Sequence, residues 1–309
     1  RKRSLEVRFI LEFTGNANPR YRREILLDGV KKPVAELYGQ FNAVSFLPQM
    51  SRIIEESPSN RRRYLDDLLS QTVPGYARHL NDYQKALAQR NALLKNLLER
   101  GGEVQQLGIW DEIIARHGSE LMVSRIRALA ELEALANPIH AELTRGEENL
   151  RFDYQPAYEP LPNPKGQRAL LLTQPERGQL STDEIETGFK AALRASQRED
   201  LARGMSVLGP HRDEFRFIAS GVDLGDYGSR GQIRTALLSL KLAEVAWMKN
   251  RTGEWPVLIL DEFMAELDPQ RRQDLMKALN QVEQALLTSA DPRLFDESEG
   301  LRGQRWLVE

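Results

Sequence analysis

Val257-Leu258-Ile259-Leu260-Asp261-Glu262 decides how this chain is read. Four consecutive branched or apolar residues, entered from Pro256, predict a strand buried on both faces, the kind that runs through the middle of a parallel sheet. Such a strand delivers its last residues to the C-terminal edge of the sheet, where open α/β folds bind their ligands. Here that edge receives Asp261 and Glu262. In a nucleotide site a first carboxylate can hold Mg2+, usually through a water, while a second orients or deprotonates the attacking water. A buried strand that merely ends in a charged loop would show the same two acids. Downstream, Glu266-Leu267-Asp268 precedes Pro269, which predicts Asp268 as the cap of a helix whose first turn is Pro269-Gln270-Arg271. A further strand is expected over 285–289, ending in the hydroxyls of Thr288 and Ser289. Strand, acid pair, capped helix and strand form one βαβ unit.

About 30 residues upstream, by direct subtraction of sequence positions, Gly228-Ser229-Arg230-Gly231-Gln232 opens a predicted helix running to about Lys249. Ala236, Leu240, Ala243 and Trp247 recur at three-and-four spacing, with Ile233 and Leu237 beside them. Glycines let backbone N–H groups approach a ligand closely, Ser229 adds a hydroxyl, and a helix N-terminus carries about half a positive charge, a combination that favours phosphate. An ordinary Gly-Ser helix cap would look the same.

Outward from this core, the N-terminus alternates: Leu5, Val7, Phe9, Leu11 and Phe13 predict a half-buried strand, and it has no signal-peptide pattern. A second strand is expected over 21–27, after Gly15-Asn16-Ala17-Asn18-Pro19 and before Asp28-Gly29, and a third over 43–47. Ser57-Pro58 then starts a helix broken at Val73-Pro74-Gly75. Two longer amphipathic helices come next, separated by Arg100-Gly101-Gly102-Glu103 and predicted to pack antiparallel as an arm roughly 30 to 50 Å long. Residues 145–180 are rich in proline and glycine and read as a meandering connection with one buried strand at Ala169-Leu170-Leu171-Leu172. Ser181-Thr182-Asp183-Glu184 is a capping box for a helix reaching about Arg203.

The 309 residues include 41% hydrophobic and 28% charged side chains and no apolar run long enough for a membrane span, so a membrane anchor is not expected. With no cysteine, the chain has no disulfide, thiolate metal site or thiol nucleophile, and it fits a cytoplasmic location. The net charge of −2 gives no global attraction to nucleic acid. Of 43 basic residues 33 are Arg, whose fork matches phosphate, though a GC-rich genome produces the same bias. His79, His117, His140 and His211 show no metal-ligand spacing.

Five blocks, in order, carry a resemblance: Gly209-Pro210-His211-Arg212-Asp213, Tyr227-Gly228-Ser229-Arg230-Gly231-Gln232-Ile233-Arg234-Thr235, Leu240-Lys241-Leu242-Ala243-Glu244, Leu260-Asp261-Glu262 and Glu266-Leu267-Asp268. They resemble the RecF family within the SMC and Rad50 superfamily of ATP-binding cassette ATPases, as does Ser57-Pro58 with Arg61-Arg62-Arg63-Tyr64-Leu65-Asp66. The resemblance implies an α/β ATPase head with mixed sheets and flanking helices, drawn from residues 1–57 and 145–309, and a small all-helical lobe at 58–144. It implies ATP and Mg2+ as cofactors, an ATP-dependent homodimer, and DNA with single-strand/double-strand junctions or gaps as partner. Slow hydrolysis and cooperation with RecO and RecR to load RecA are implied by the same likeness. By position, Ser229, Arg230, Gly231 and Gln232 would be the signature that caps the γ-phosphate held by the opposite subunit. Asp261 would be the Mg2+ acid, Glu262 the residue polarising water, and Asp268 the acid of the D-loop at the dimer interface. Gln49 would lie near the Mg2+- and phosphate-sensing loop, a position where the family more often has an acid, and Ser289 or Thr288 would take the switch position. Arg61, Arg62 and Arg63 are candidate DNA contacts, with a salt-bridged helix surface as the alternative.

One element of that pattern does not occur in the sequence. A phosphate-cradling G-x-x-x-x-G-K-[ST] loop needs a Gly-Lys pair, and the 309 residues contain none. Gly204-Met205-Ser206-Val207-Leu208-Gly209 has the glycine spacing, but Pro210 comes next and has no N–H to offer. A preceding segment of a few tens of residues carrying that loop is therefore expected, by the usual length of a strand–loop–helix unit. Two other readings stay open: a non-catalytic DNA-binding or assembly module, and a related cassette ATPase of another repair or defence system. The interval from Gln49 to Ser229, 180 residues by subtraction, excludes a long coiled coil.

Overall fold

The computed structural model of the protein describes residues 4–12, 20–161 and 176–291, together with 293, 304 and 306. Chain order begins with a hairpin. β1 (Leu5–Glu12) and β2 (Arg20–Leu27) pair antiparallel with Leu5 opposite Leu27. β2 then turns through Asp28 (φ 52°) and Gly29 (φ 80°) into β3 (Val30–Lys31), a two-residue turn that demands positive φ at both central positions. The strands match the expected pattern, but the half-buried reading of β1 is corrected: Phe9 is 71% exposed and Leu5, Val7 and Leu11 are exposed with it. Alternation fixes which side chains share a face; it does not say whether a second layer covers that face. The turn expected at 15–19, Phe13, and the strand expected at 169–172 lie outside the described residues.

β4 (Ala43–Phe46) is followed by a 3₁₀ turn, Pro48–Ser51, and a single helical turn, α1 (Arg52–Glu55). α2 (Pro58–Thr72) starts behind extended Ser57 with proline at its first position, where a missing N–H costs nothing. α3 (Tyr76–Arg100) ends at Gly101, whose N–H reaches the Leu97 carbonyl, and α4 (Leu107–Leu143) returns antiparallel to it. At 1.5 Å per residue these are rods of about 37 and 55 Å. They do not form a projecting arm. α4 packs along α3 and also on elements from the far end of the chain, burying Leu121, Met122, Leu129 and Leu132 at 1% exposure or less.

In that later part of the chain, β5 (Leu150–Gln155) precedes α5 (Thr182–Ala195), whose capping box between Ser181 and Glu184 is complete, and α6 (Gln197–Arg203). The helix expected to run unbroken to Arg203 is split at Ser196. β6 (Glu214–Ala219), β7 (Val222–Asp223) and the short α7 (Leu224–Tyr227) lead to α8 (Arg230–Thr252), β8 (Val257–Asp261), α9 (Pro269–Leu279) and β9 (Ala285–Thr288). Among the described residues three sheets result: β1-β2-β3 and β5-β6-β7, both antiparallel, and β4-β8-β9, which is parallel. α8 lies against β4 and α4, and its stripe of Ala236, Leu240, Ala243 and Trp247 is buried to 1% exposure or less, as its spacing predicts.

A polar knot ties the helices to the second sheet. Arg125, in α4 and 2% exposed, donates to Asp66 of α2 (2.8 Å), Asp213 (3.0 Å), the Pro210 carbonyl (2.6 Å) and the Tyr76 hydroxyl (3.2 Å). Asp213 also accepts from the Tyr154 hydroxyl of β5 at 2.5 Å and the Ala157 N–H at 3.0 Å. The turn that presents it needs Gly209 at φ 127°, a conformation side chains rarely adopt. His211, two residues on, sits 2.6 Å from the Tyr83 hydroxyl, and burial holds its imidazole down at about 4.

A depressed imidazole pKa stabilises the fold fully above the unfolded value near 6.5 and progressively less as pH falls toward about 4. His117 and His140 are lowered too, again mainly by burial, and act in the same direction. His211→Gln, which cannot protonate, should lose less stability than wild type between pH 7.5 and 4, by about 3 kcal/mol. Urea midpoints of both proteins at the two pH values check this; identical losses would exclude a neutral, buried His211.

Candidate functional site at the edge of the parallel sheet

β8 is the middle strand of β4-β8-β9, with Phe46 in register with Leu260 and Leu260 with Leu287. Leu258 and Leu260 are fully buried, whereas Val257 and Ile259 on the other face are half-buried. The expectation of burial on both faces is corrected to one sealed face and one partly covered face among the described residues. The sealed face is enough to fix the strand, and its end carries Asp261 to the edge, where it is exposed. Thr288, paired with Asp261 in register, donates its hydroxyl to Asp261 Oδ1 at 2.6 Å. The Glu262 N–H lies 3.3 Å from both the carbonyl and the hydroxyl of Thr288.

Glu262 itself adopts φ 54°, ψ 4°, a left-handed conformation unusual for a residue with a side chain. The next turn, Phe263–Glu266, is pinned by Phe263, whose ring lies 5.3 Å from that of Phe46 in the adjacent strand. Gln49 is exposed in the 3₁₀ turn just past β4. The C-terminal edge thus gathers Gln49, Asp261, Glu262, Thr288 and Ser289. These are hard oxygen donors, suited to a cation such as Mg2+ that keeps waters and phosphate oxygens in its shell. Among the described residues no group of three or more His, Asp or Glu side chains could hold a metal, so the edge would bind one only together with ligand oxygens.

A second group forms where α8 begins. The Ser229 hydroxyl accepts from the Gln232 N–H (3.2 Å) and the Gln232 side-chain oxygen accepts from the Ser229 N–H (3.0 Å), a reciprocal capping box. Ser229, Arg230 and Gly231 remain exposed, next to Tyr227 at 79% exposure. Asp268 caps α9, accepting from the Arg271 N–H at 3.0 Å and pairing with the Arg271 guanidinium; the N–H and the charge together hold its carboxyl below the usual range. Arg271 also donates to Thr235 Oγ1 of α8 at 2.6 Å. Asp268 and the 229–232 turn are therefore neighbours through Thr235, while Asp261 and Glu262 belong to the sheet edge.

No family model matches the chain. Curated relatives do: the DNA replication and repair protein RecF of Chloroflexus aurantiacus is 38% identical over 89% of this chain and 67% of its own length. That of Halothermothrix orenii is 34% identical over 94% of this chain and 72% of the relative. The chain belongs to the RecF family. Among solved structures, the recombination mediator protein RecF-ATP in the RecFOR pathway superposes with a TM-score of 0.76 at 30% identity, covering 94% of this chain and 72% of that one. The RecF-ATPrS structure matches at 0.75 and 31% identity. The α/β fold with its flanking helices is accordingly that of the RecF family. No helix among the described residues is long and apolar enough to cross a membrane.

The RecF-like blocks fall unevenly in space. Of the two hydroxyls at the end of β9, Thr288 reaches Asp261, whereas Ser289 accepts from the Asp291 N–H. Arg61 is corrected as a DNA candidate: it is 7% exposed, forked onto Glu214 at 2.6 and 2.7 Å, and bonded to the carbonyls of Ile54 and Glu56. Arg62 donates to the Asp213 carbonyl, and Arg63 is exposed. Sequence reasoning misses Glu148 and gives no role to Thr235, the last residue of a family-like block, or to Arg271, although all three hold the second group. Only Arg271 leaves a local signal: it stands three residues after the capping Asp268, the spacing at which a helix brings two side chains together.

The left-handed Glu262 gives a stability test. Removing the Cβ relieves roughly 1 kcal/mol of strain, so Glu262→Gly should unfold at higher denaturant than Glu262→Ala. Equal or reversed midpoints would show that position 262 is not held in that conformation.

Proposed function

We propose that this chain supplies the acid pair and the signature of an ATP-driven DNA repair protein of RecF type, with a head formed by residues 1–57 and 145–309 and a helical lobe at 58–144. The observation that carries the reading is the pair Asp261–Glu262 at the end of the central parallel strand, with Thr288 hydrogen-bonded to the first acid and the backbone turned left-handed at the second. Asp261 would hold Mg2+ through water, with Gln49 at the margin of the same shell. When bound, the cation neutralises charge on the terminal phosphates. Glu262, at the head of the turn anchored by Phe263, would orient a water and accept its proton. At the start of the helix, with the Ser229 and Gln232 N–H groups taken up by the capping box, the Arg230 and Gly231 N–H groups and the Ser229 hydroxyl are chemistry that suits the γ-phosphate of a nucleotide on a second copy. Asp268, joined to that turn through Arg271 and Thr235, would meet the same second copy, and Ser289 would line the edge beside Thr288.

On this reading ATP closes a homodimer on DNA at gaps or junctions, slow hydrolysis reopens it, and RecO and RecR act with it to load RecA. The relatives' names, DNA replication and repair protein and recombination mediator protein of the RecFOR pathway, support the setting. The chain spans 67% and 72% of the lengths of the two relatives, and its 309 residues contain no Gly-Lys pair of a phosphate-cradling loop. The same absence favours a second reading, a DNA-binding or assembly module without catalysis; micromolar binding of MgATP by the 309-residue chain would dispose of it.

In the full-length protein, Asp261→Asn and Glu262→Gln should each lower ATP turnover at least about tenfold, the scale of losing a positioned acid or base. Glu262→Gln should in addition accumulate an ATP-bound dimer, visible by size-exclusion chromatography with light scattering. Turnover of Glu262→Gln at the wild-type rate would refute the role given to that residue.

A further inference from the structure

Behind the signature turn runs a continuous line of hydrogen bonds. The Gln232 side-chain amide donates to Glu148 Oε1 at 2.8 Å, in the segment between α4 and β5. The other oxygen of Glu148 lies 3.1 Å from Nε2 of His140, a fully buried residue of α4. His140 Nδ1 lies 3.1 Å from the Ser239 hydroxyl, which also reaches the Thr235 carbonyl at 2.8 Å. Thr235 Oγ1 donates to the Gly231 carbonyl at 2.8 Å and accepts from Arg271 at 2.6 Å, and Arg271 grips Asp268. The line begins at Gln232 and closes on Gly231 and Asp268, so both exposed groups share one internal scaffold.

A glutamine at the third helical position is free to sample several rotamers when only a cap opposes it. Here it is held at both ends: its oxygen by the Ser229 N–H and its amide by a carboxylate. That carboxylate is the charged partner, and a hydrogen bond to a charged group is roughly twice as strong as a neutral one; its second oxygen can accept from His140 only when the imidazole proton sits on Nε2. We propose that Glu148 is a positioning residue that fixes the signature turn through Gln232, and that Arg271 locks this turn to Asp268 so that the two move as one body. The proposal rests on the reading of 229–232 as the surface that meets the nucleotide of a second copy. Nothing in it requires Glu148 to touch that nucleotide; its effect passes through the Gln232 rotamer and the Ser229 cap.

The chemistry also defines a rescue. Glutamine at 148 can accept from Gln232 with its oxygen and donate its amide to Nε2 of His140 once the imidazole proton moves from Nε2 to Nδ1, toward Ser239. Alanine can do neither. Two measurements on the full-length protein separate positioning from its consequence. Amide hydrogen exchange without nucleotide reads the scaffold itself: Glu148→Ala should speed exchange of the 229–232 amides about tenfold, the worth of one charge-assisted hydrogen bond, with the interior of α3 unchanged. Arg271→Ala should speed exchange at both 229–235 and 268–271. Steady-state ATPase reads the consequence: Glu148→Ala should lower kcat about fivefold or more with KM for ATP little changed, the pattern of an interaction made in the reacting state. Glu148→Gln should restore exchange and kcat to near wild type.

Unchanged exchange in Glu148→Ala overturns the proposal, as does faster exchange with an unaltered kcat, or a Glu148→Gln variant as defective as Glu148→Ala. An effect of Arg271→Ala confined to α9 overturns the single-body part. If the wild type hydrolyses no ATP at all, the functional reading fails on its own terms, and the exchange comparison still decides whether Glu148 positions the turn.

Discussion

The buried guanidinium of Arg125 is the constraint around which the rest is arranged. One charge, 2% exposed, is shared among α2 through Asp66, α3 through Tyr76, and the Gly209–Asp213 turn that leads into β6. An ion buried this deeply is costly unless its donors are met, and the acceptors come from parts of the sequence far apart. The helical region and the second sheet can therefore assemble only in one relative placement. Asp213 closes the same knot from the other side by accepting from Tyr154 and Ala157, which brings β5 in. Once β5 and the end of α4 are placed, so is the segment between them, and with it Glu148 behind the 229–232 turn.

Much of this is written locally. The three-and-four stripe of α8, the capping box at Ser181 and the proline start of α2 are read from neighbouring residues because the forces that set them act over a single turn. The strand β8 is legible for the same reason, being a short apolar run closed by acids. What local pattern cannot supply is coverage. Phe9 alternates as a buried residue would and stands 71% exposed, and Ile259 belongs to an apolar run yet is only half-buried. Whether a face is sealed depends on which other element arrives there.

The antiparallel β5–β6 pair shows a different limit. Leu150, Phe152 and Tyr154 alternate cleanly, as do Phe215, Phe217 and Ala219, and all six are buried at 3% exposure or less. Their signal is diluted by the proline-rich stretch beside β5 and the Gly-Pro turn before β6. The candidate site is legible where a residue closes a patterned element, as with Asp261, Glu262 and Ser229, and silent where residues far apart act on each other. Glu148 and Gln232 lie 84 positions apart and Arg125 and Asp213 lie 88 apart, so no window of sequence contains either pair.

α4 adds a mechanical consequence. From His140, which reaches Gln232 through Glu148, to Leu107 at its far end is 33 residues of helix by subtraction, about 50 Å, with Pro138 inside its last two turns. A rod of that length touches most of the interior: α3, α5, α8 and β5 all pack on it. Its Leu107 end is held as well, in a small apolar cluster with Leu94 and Leu97 of α3. α4 is thus the spine on which the helices and the second sheet are set, and a strain at its His140 end is opposed along its whole length by close-packed neighbours.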